Sequence, residues 1–538
     1  MSQKLMLLGD EAIGRAAIDA GISGIYAYPG TPSTEITEYV MSSPEAKAGK
    51  VRAGWSANEK TAMESALGMS YAGKRSMVCM KHVGMNVAAD AFINSAITGV
   101  NGGMIIVAAD DPSMHSSQNE QDSRVYGKFA LLPVLEPTNQ QEAYNMVHYG
   151  FDLSEKLRLP VLMRITTRIA HSRAGVERKE MRQQNELQLP KDKMQFILLP
   201  AVARRQYKTL LAKQTELEKE ASQAGFNQYT EGKDKKLGVI TTGIAYNYLI
   251  ENYPDRNIPY SVLKIGQYPI PESMLRKIYD TCDELLVLED GYPVVEEMLK
   301  GSLNLGKPIH GRLDGSVPRD GELNPNLVAV ALGMEDTRGK EIPAVVAGRP
   351  PALCKGCPHI FSFTALNEAV AQWGKGRVFS DIGCYTLSAL DPLHAIDTTV
   401  DMGASITMAK GAADAGLFPS IAVIGDSTFT HSGITGLIDC VREKSPVTII
   451  ILDNETTGMT GGQDSAATGR IEQICEGAGV EKDHIFIVNP SPKYNDENRD
   501  IIKKELEYKG VSVIIPRREC IQTALRGIKE RKKQEQNK

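Results

Sequence analysis

With 538 residues the chain is too long for one hydrophobic core and is expected to fold as three or four domains. Its 61 basic and 66 acidic residues leave a formal net charge of −5 with both signs interspersed, which excludes the basic footprint of a nucleic-acid-binding surface. Met1 to Asp10 carry too short an apolar run for a signal peptide, and no segment approaches the roughly 20 apolar residues of a membrane span, so a cytoplasmic location with no membrane partner is expected.

Residues 1–175 alternate strand-like and helix-like runs and are expected to form a complete parallel α/β domain. Gly24 to Tyr28 reads as a strand that runs into Pro29-Gly30-Thr31-Pro32-Ser33-Thr34-Glu35, a tight turn and a helix start with Ser33 or Thr34 as cap. After Trp55-Ser56-Ala57-Asn58-Glu59-Lys60, the residues Ala62, Met63, Ala66, Leu67 and Met69 fall at helical spacing, so Glu59 enters a buried helix near its start. An acid there often does no more than offset the helix dipole. Lys81 to Asn86 and Asp110-Asp111-Pro112 each follow an apolar run and read as polar loops at strand ends; Val161 to Ile165 is the last strand.

Residues 176–234 are highly charged and read as a linker with a surface helix from Arg204 to Ala224. A smaller α/β domain is expected over 235–335, a final α/β domain over 349–525, and a solvated or frayed basic tail over 526–538.

In that final domain the apolar runs Ile421 to Ile424 and Val447 to Leu452 have the pattern of buried parallel strands. Gly425-Asp426-Ser427 follows the first; Asn454, and then Thr460-Gly461-Gly462-Gln463, follow the second. Two polar clusters are thereby expected side by side at the C-terminal edge of the sheet, where open α/β folds bind ligands. A hard cation such as Mg²⁺ takes oxygen ligands and shares its shell with phosphates, so Asp426, the Asn454 amide oxygen and the Thr456 carbonyl are candidate ligands. The small residues around them admit a diphosphate to backbone N–H groups. This pairing resembles the diphosphate signature of thiamine-diphosphate enzymes. Such enzymes also need a carboxyl group beside the pyrimidine N1′, commonly from a second α/β domain, and Glu59 fits that role better than a mere dipole partner.

Eight cysteines at uneven spacing suit a reducing compartment and speak for metal or redox roles rather than a disulfide framework. Cys79, Cys282, Cys440 and Cys475 lie in apolar or helical surroundings and are expected in the core. Cys354-Lys355-Gly356-Cys357, Cys384 and Cys520 offer four thiolates for zinc or a [4Fe-4S] cluster, and a Cys-X-X-Cys alone could be a redox pair. Spacing does not choose between them. Oxidative thiamine chemistry does, because two electrons must leave one at a time and an iron-sulfur cluster could take them.

Several stretches together resemble the large-subunit family of indolepyruvate ferredoxin oxidoreductase, from residue 1 to about 525: Tyr28 to Glu35, Asn58-Glu59-Lys60, Lys81-His82-Val83-Gly84, Arg349 to His359, Gly383-Cys384-Tyr385 and Gly425 to Gly433. The resemblance implies a multidomain α/β thiamine-diphosphate enzyme fold, with two parallel-sheet cofactor-binding domains and a smaller α/β domain between them. It implies oxidative decarboxylation of aryl pyruvates with coenzyme A to aryl-acetyl-CoA and CO₂, with ferredoxin as acceptor. By the same resemblance Glu59 is the cofactor-activating glutamate, Thr31 faces the substrate carboxylate, and Asp426, Asn454 and the Thr456 carbonyl are the Mg²⁺ ligands. Cys354, Cys357, Cys384 and Cys520 match the ligands of a [4Fe-4S] cluster proximal to thiamine, and His82, His359 and His431 are pocket candidates. A small β subunit is expected as partner, in an α2β2 assembly. Two departures stand out. Met459 occupies the place of an asparagine found in the pyruvate enzymes, and the family's usual C-terminal ferredoxin-like domain is not present up to Lys538. The second keeps a non-oxidative thiamine-dependent decarboxylase or carboligase as the alternative reading.

Overall fold

Buried, β-branched runs build the first sheet of the computed structural model, which describes residues 4–189, 192, 194–301, 306–335, 343–348 and 351–536. Arg349 and Pro350 of the cysteine-bearing stretch lie outside the described residues. The chain divides into two compact units, Met1–Glu341 and Ile342–Lys538.

In the first unit, a seven-stranded sheet runs in the order Gln267–Tyr268, Val134–Leu135, Val161–Thr166, Met104–Asp110, Ser76–Lys81, Gly24–Ala27, Arg52–Trp55. All neighbours are parallel except the edge strand Gln267–Tyr268, which is antiparallel to Val134–Leu135. Full burial of Met104–Asp110 and Val161–Thr166 explains why these strands read as continuous apolar runs rather than alternating ones. A second, five-stranded sheet has the order Ile309–His310, Glu284–Leu288, Asp234–Thr242, Tyr260–Ile265, Gln228–Thr230.

Residues 1–175 and 235–335, expected as separate domains, thus lie in one unit and share structure, since Gln267–Tyr268 extends the first sheet. A buried charge network also joins them. Arg164 binds Asp110 at 2.7 Å, Glu136 at 2.5 Å and the Asp290 carbonyl at 2.7 Å, while Arg124 binds Asp122 at 2.5 Å and Glu289 at 2.8 Å. Within the charged 176–234 segment, Arg178 and Arg182 hold the chain against Asp19 and Asp152, and helices Pro200–Ala212 and Gln214–Gln223 follow in place of the single expected helix.

The second unit is built on five parallel strands in the order Val378–Ser380, Ser420–Gly425, Val447–Leu452, Ser512–Pro516, Ile485–Val488. The segment from Arg526, expected to be solvated or frayed, is the largely exposed end of helix Ile521–Gln536. Among the described residues no helix is long and apolar enough to cross a membrane.

Candidate active site

In the first unit the candidate residues gather at the C-terminal ends of neighbouring strands. Glu59 is the first residue of helix Glu59–Tyr71; the side chain of Asn58 caps it by accepting from the Thr61 N–H at 2.8 Å. A dipole partner is normally solvated, whereas Glu59 is only 5% exposed. The cause is helix His82–Thr98, whose Gly84 lies directly against it: a Cβ at position 84 would sit 2.7 Å from both Glu59 Cγ and Oε1. Gly84 is therefore a close-approach glycine, and its place in the Lys81-His82-Val83-Gly84 motif has a steric reason.

Thr31 lies in the loop after strand Gly24–Ala27. Ser33 stands at the N-cap of helix Thr34–Ser42 as expected, but its side chain makes no capping hydrogen bond. The Ser33 hydroxyl donates to the Gly30 carbonyl at 2.8 Å and Thr34 Oγ1 accepts from the Gly30 N–H at 3.0 Å, so both serve the turn that carries Thr31. Lys81, which sequence reasoning left without a role, donates to the Ser116 carbonyl at 3.0 Å, and Ser116 Oγ reaches the Thr31 carbonyl at 3.4 Å. Burial lowers the Lys81 pKa against the opposing pull of Asp111 and Glu59. His82 Nε2 lies 3.0 Å from the Asn119 carbonyl, and its Nδ1 is buried without a hydrogen-bond partner.

In the second unit, strands Ser420–Gly425 and Val447–Leu452 pair so that Gly425 stands opposite Leu452, which brings Asp426 and Asn454 to one sheet edge. Asp426 is 2% exposed; its Oδ1 accepts from the Ser427 N–H at 2.8 Å, while Oδ2 is buried with no partner. Burial first, then the charge of Asp453, pushes its pKa up to about 7. A buried carboxylate oxygen left open is costly unless a cation or proton meets it. The Asn454 amide lies beside His359, with Nδ2 and Nε2 3.2 Å apart, and its Oδ1 accepts from the Thr456 N–H at 3.3 Å. Thr456 pairs with Asp464 and Thr457 with Gln463 across the turn, where Gly461 and Gly462 adopt φ of +124° and +85°. Those values demand glycine and leave the backbone bare. Gln463 is tied down by Thr460 at 2.6 Å, and Ser427 Oγ lies 2.9 Å from Thr457 Oγ1. Tyr385 fills the space beside Gly425, where a Cβ would meet its ring at 2.7 Å, and donates to Asp381.

Cys357, Cys520 and Cys354 lie near enough to Cys384 to act on its thiol, though no three of the four have sulfurs within 4.8 Å of one another. The thiol of Cys384 is pushed up to about 12 by burial and then by Cys357, Cys520 and Cys354. Gln522 Nε2 reaches Cys354 Sγ at 3.4 Å, and Gly458 sits so close that a Cβ there would be 3.0 Å from Cys384 Sγ. The Cys520 N–H donates to the Asn454 carbonyl at 3.1 Å, so Cys520 is tied directly to the loop that carries Asn454. Cys354 is exposed, Cys357 buried, Cys384 and Cys520 half-buried, while Cys79, Cys282, Cys440 and Cys475 are buried as expected. His431 Nδ1 lies 2.6 Å from Ser432 Oγ.

Two family models make this a thiamine-diphosphate-binding protein. Residues 381–515 match the thiamine pyrophosphate enzyme C-terminal TPP-binding domain, and residues 15–230 match the thiamine diphosphate-binding domain of pyruvate flavodoxin/ferredoxin oxidoreductase. The chain is 40% identical to indolepyruvate oxidoreductase subunit IorA of Archaeoglobus fulgidus, over 96% of this chain and 86% of that protein. It is 39% identical to the Thermococcus kodakarensis subunit over the same shares. A similar solved structure is a 2-oxoglutarate:ferredoxin oxidoreductase from Magnetococcus marinus, with a TM-score of 0.50 at 16% identity, covering 62% of this chain and 65% of that one. The chain belongs to the indolepyruvate oxidoreductase subunit IorA family.

Proposed function

We infer that the chain is the thiamine-diphosphate-carrying subunit of an enzyme that oxidatively decarboxylates aryl pyruvates. The reaction is 2-oxo acid + coenzyme A + two oxidised ferredoxins → acyl-CoA + CO₂ + two reduced ferredoxins + H⁺, of which indolepyruvate and phenylpyruvate are the expected substrates. The observation that carries the site is the buried, unpartnered Oδ2 of Asp426, at the sheet edge that also carries Asn454. That donor set fits Mg²⁺, with Asp426, Asn454 Oδ1 and the Thr456 carbonyl as its protein ligands. Gly425, Ser427, Gly461, Gly462 and Gln463 would line the diphosphate, whose close approach the bare backbone of the two positive-φ glycines permits.

Bound thiamine diphosphate supplies the nucleophilic carbon and electron sink that CO₂ loss from a 2-oxo acid requires. The chain's own residues do the rest. Glu59, buried against Gly84 at the start of a helix capped by Asn58, would supply the carboxyl partner of the aminopyrimidine, and Thr31 would orient the substrate carboxylate. Cys354, Cys357, Cys384 and Cys520 would hold a [4Fe-4S] cluster, which would supply one-electron acceptance. Met459, 58% exposed in the turn Gly458–Thr460, offers apolar contact to an aryl side chain. A small β subunit completes the enzyme as α2β2 in the cytoplasm.

The test is iron and acid-labile sulfide on anaerobically purified protein beside Cys354→Ser. About four irons per chain, lost in the variant, is the expected result. Zinc, or no metal, would turn the reading toward a non-oxidative decarboxylase or carboligase.

A further inference from the structure

The cysteine site has one side open to solvent, and the chain there is not charge-balanced. Cys354 is exposed, and so is its neighbour Lys355. The Cys354–Cys357 loop lies on the first turn of helix Ile521–Gln536: Gln522 Nε2 reaches Cys354 Sγ at 3.4 Å, and a Cβ at Gly356 would be 3.3 Å from Ile521 Cδ1. From Gln522 the positions i+3, i+4, i+7 and i+10 are Leu525, Arg526, Lys529 and Lys532, which share one face of the helix. At 1.5 Å per residue this face runs about 15 Å away from the cysteine loop. Leu525 and Ile528 are 48% and 46% exposed, and Arg526, Lys529, Arg531 and Lys532 around them are exposed, with Glu530 the single acid between Ile521 and Lys532. A strongly basic patch on a chain of net charge −5 is a local feature, not a reflection of composition.

We propose that this helix face, with Lys355, is the docking surface for an acidic one-electron carrier of the ferredoxin type. An apolar centre rimmed by like charges suits a partner of opposite charge, and redox encounters are small and transient, needing fast arrival more than tight binding. The patch begins at the exposed cysteine, the place where a cluster edge comes nearest to solvent. Each turnover then sends two electrons outward, one to each of two oxidised carriers, drawn from the 2-oxo acid. The proposal rests on the iron-sulfur reading above.

The experiment uses the complete enzyme with its small subunit, carrying Lys529→Glu and Lys532→Glu together, and an acidic ferredoxin as acceptor. The expected result is a KM for ferredoxin raised about tenfold at low ionic strength, with its salt dependence flattened, since steering is electrostatic. Reduction of a small viologen acceptor and the iron content stay as in the parent. An unchanged KM for ferredoxin in an iron-loaded enzyme overturns the docking surface alone. Loss of the small subunit on purification also overturns it, assigning the helix to the subunit interface. Absence of iron from the parent enzyme overturns the cluster reading and the docking surface with it.

Discussion

His359 and Asn454 meet through Nε2 and Nδ2 at 3.2 Å, on the sheet edge that also carries Asp426. His359 is 3% exposed, and burial pushes its pKa down to about 4, so at neutral pH it is an uncharged ring that can accept from the amide. With Nδ2 engaged there, Oδ1 is the atom of Asn454 left for a cation. His359→Leu removes the acceptor and frees the amide to turn. The expected outcome is Mg²⁺-dependent thiamine diphosphate binding weakened about five- to tenfold, the equivalent of roughly 1 kcal/mol for one hydrogen bond, with partial recovery in His359→Gln. Titration calorimetry reads this without turnover. Equal affinity in parent and Leu variant would show that the ring does not set the amide.

Glu59 and Gly84 make a second pair that can be separated experimentally. Glu59→Gln keeps size but cannot take the acid-base role proposed for Glu59, and cofactor binding should persist while turnover falls by about 10²–10⁴. Gly84→Ala places a methyl group where only 2.7 Å is available to the carboxylate. Turnover should fall in that variant too, with Glu59 intact in sequence and the iron content unchanged. Unaltered turnover in Gly84→Ala would mean the Glu59 side chain can move aside at no cost to its role.

The strands flanking the diphosphate cluster were legible because full burial on both faces leaves an uninterrupted apolar run, and the glycines that follow were legible because positive φ has few other tenants. The role of Gly84 was not, since close approach depends on a helix packing partner rather than on spacing. The same holds for the Asn454–His359 contact, which joins residues 95 positions apart. Nor could the pattern between 176 and 335 reveal that Gln267–Tyr268 would complete the first sheet: a two-residue edge strand carries almost no periodicity.

Gly462 sits at φ +85° with Thr523 Oγ1 3.4 Å from where a Cβ would be, and Arg526 donates to the Gly461 carbonyl at 2.8 Å. Gly462→Ala should cost about 1–2 kcal/mol from the left-handed backbone alone. It should also crowd the diphosphate. The cofactor dissociation constant is expected to rise by at least tenfold, whereas Gly469→Ala, also at positive φ (+68°) but with open space around it, should lower stability without touching that constant. Comparable cofactor loss in both variants would assign the effect to general strain.

His148 gives the first unit a defined acid sensitivity. It lies on helix Gln140–Leu157, is 1% exposed, and neither ring nitrogen has a hydrogen-bond partner; the Tyr144 ring centroid is 5.1 Å away. Burial first, then Lys179 and Arg182, pushes its pKa down to about 4 from an ordinary 6.5. Between these values the unfolded chain binds a proton that the folded chain refuses. Stability from this group is therefore intact above pH 6.5 and falls as pH drops toward 4, by about 3 kcal/mol over the whole interval. Asp19, whose pKa burial raises but the hydrogen bonds from Arg178, Arg15 and Tyr144 together lower by more, adds its own loss only below the usual carboxylate range. The two are separable by pH. His148→Leu should flatten the decline in Tm between pH 6.5 and 4 while leaving the steeper loss at lower pH; an unchanged slope in that window would assign the acid arm to other groups.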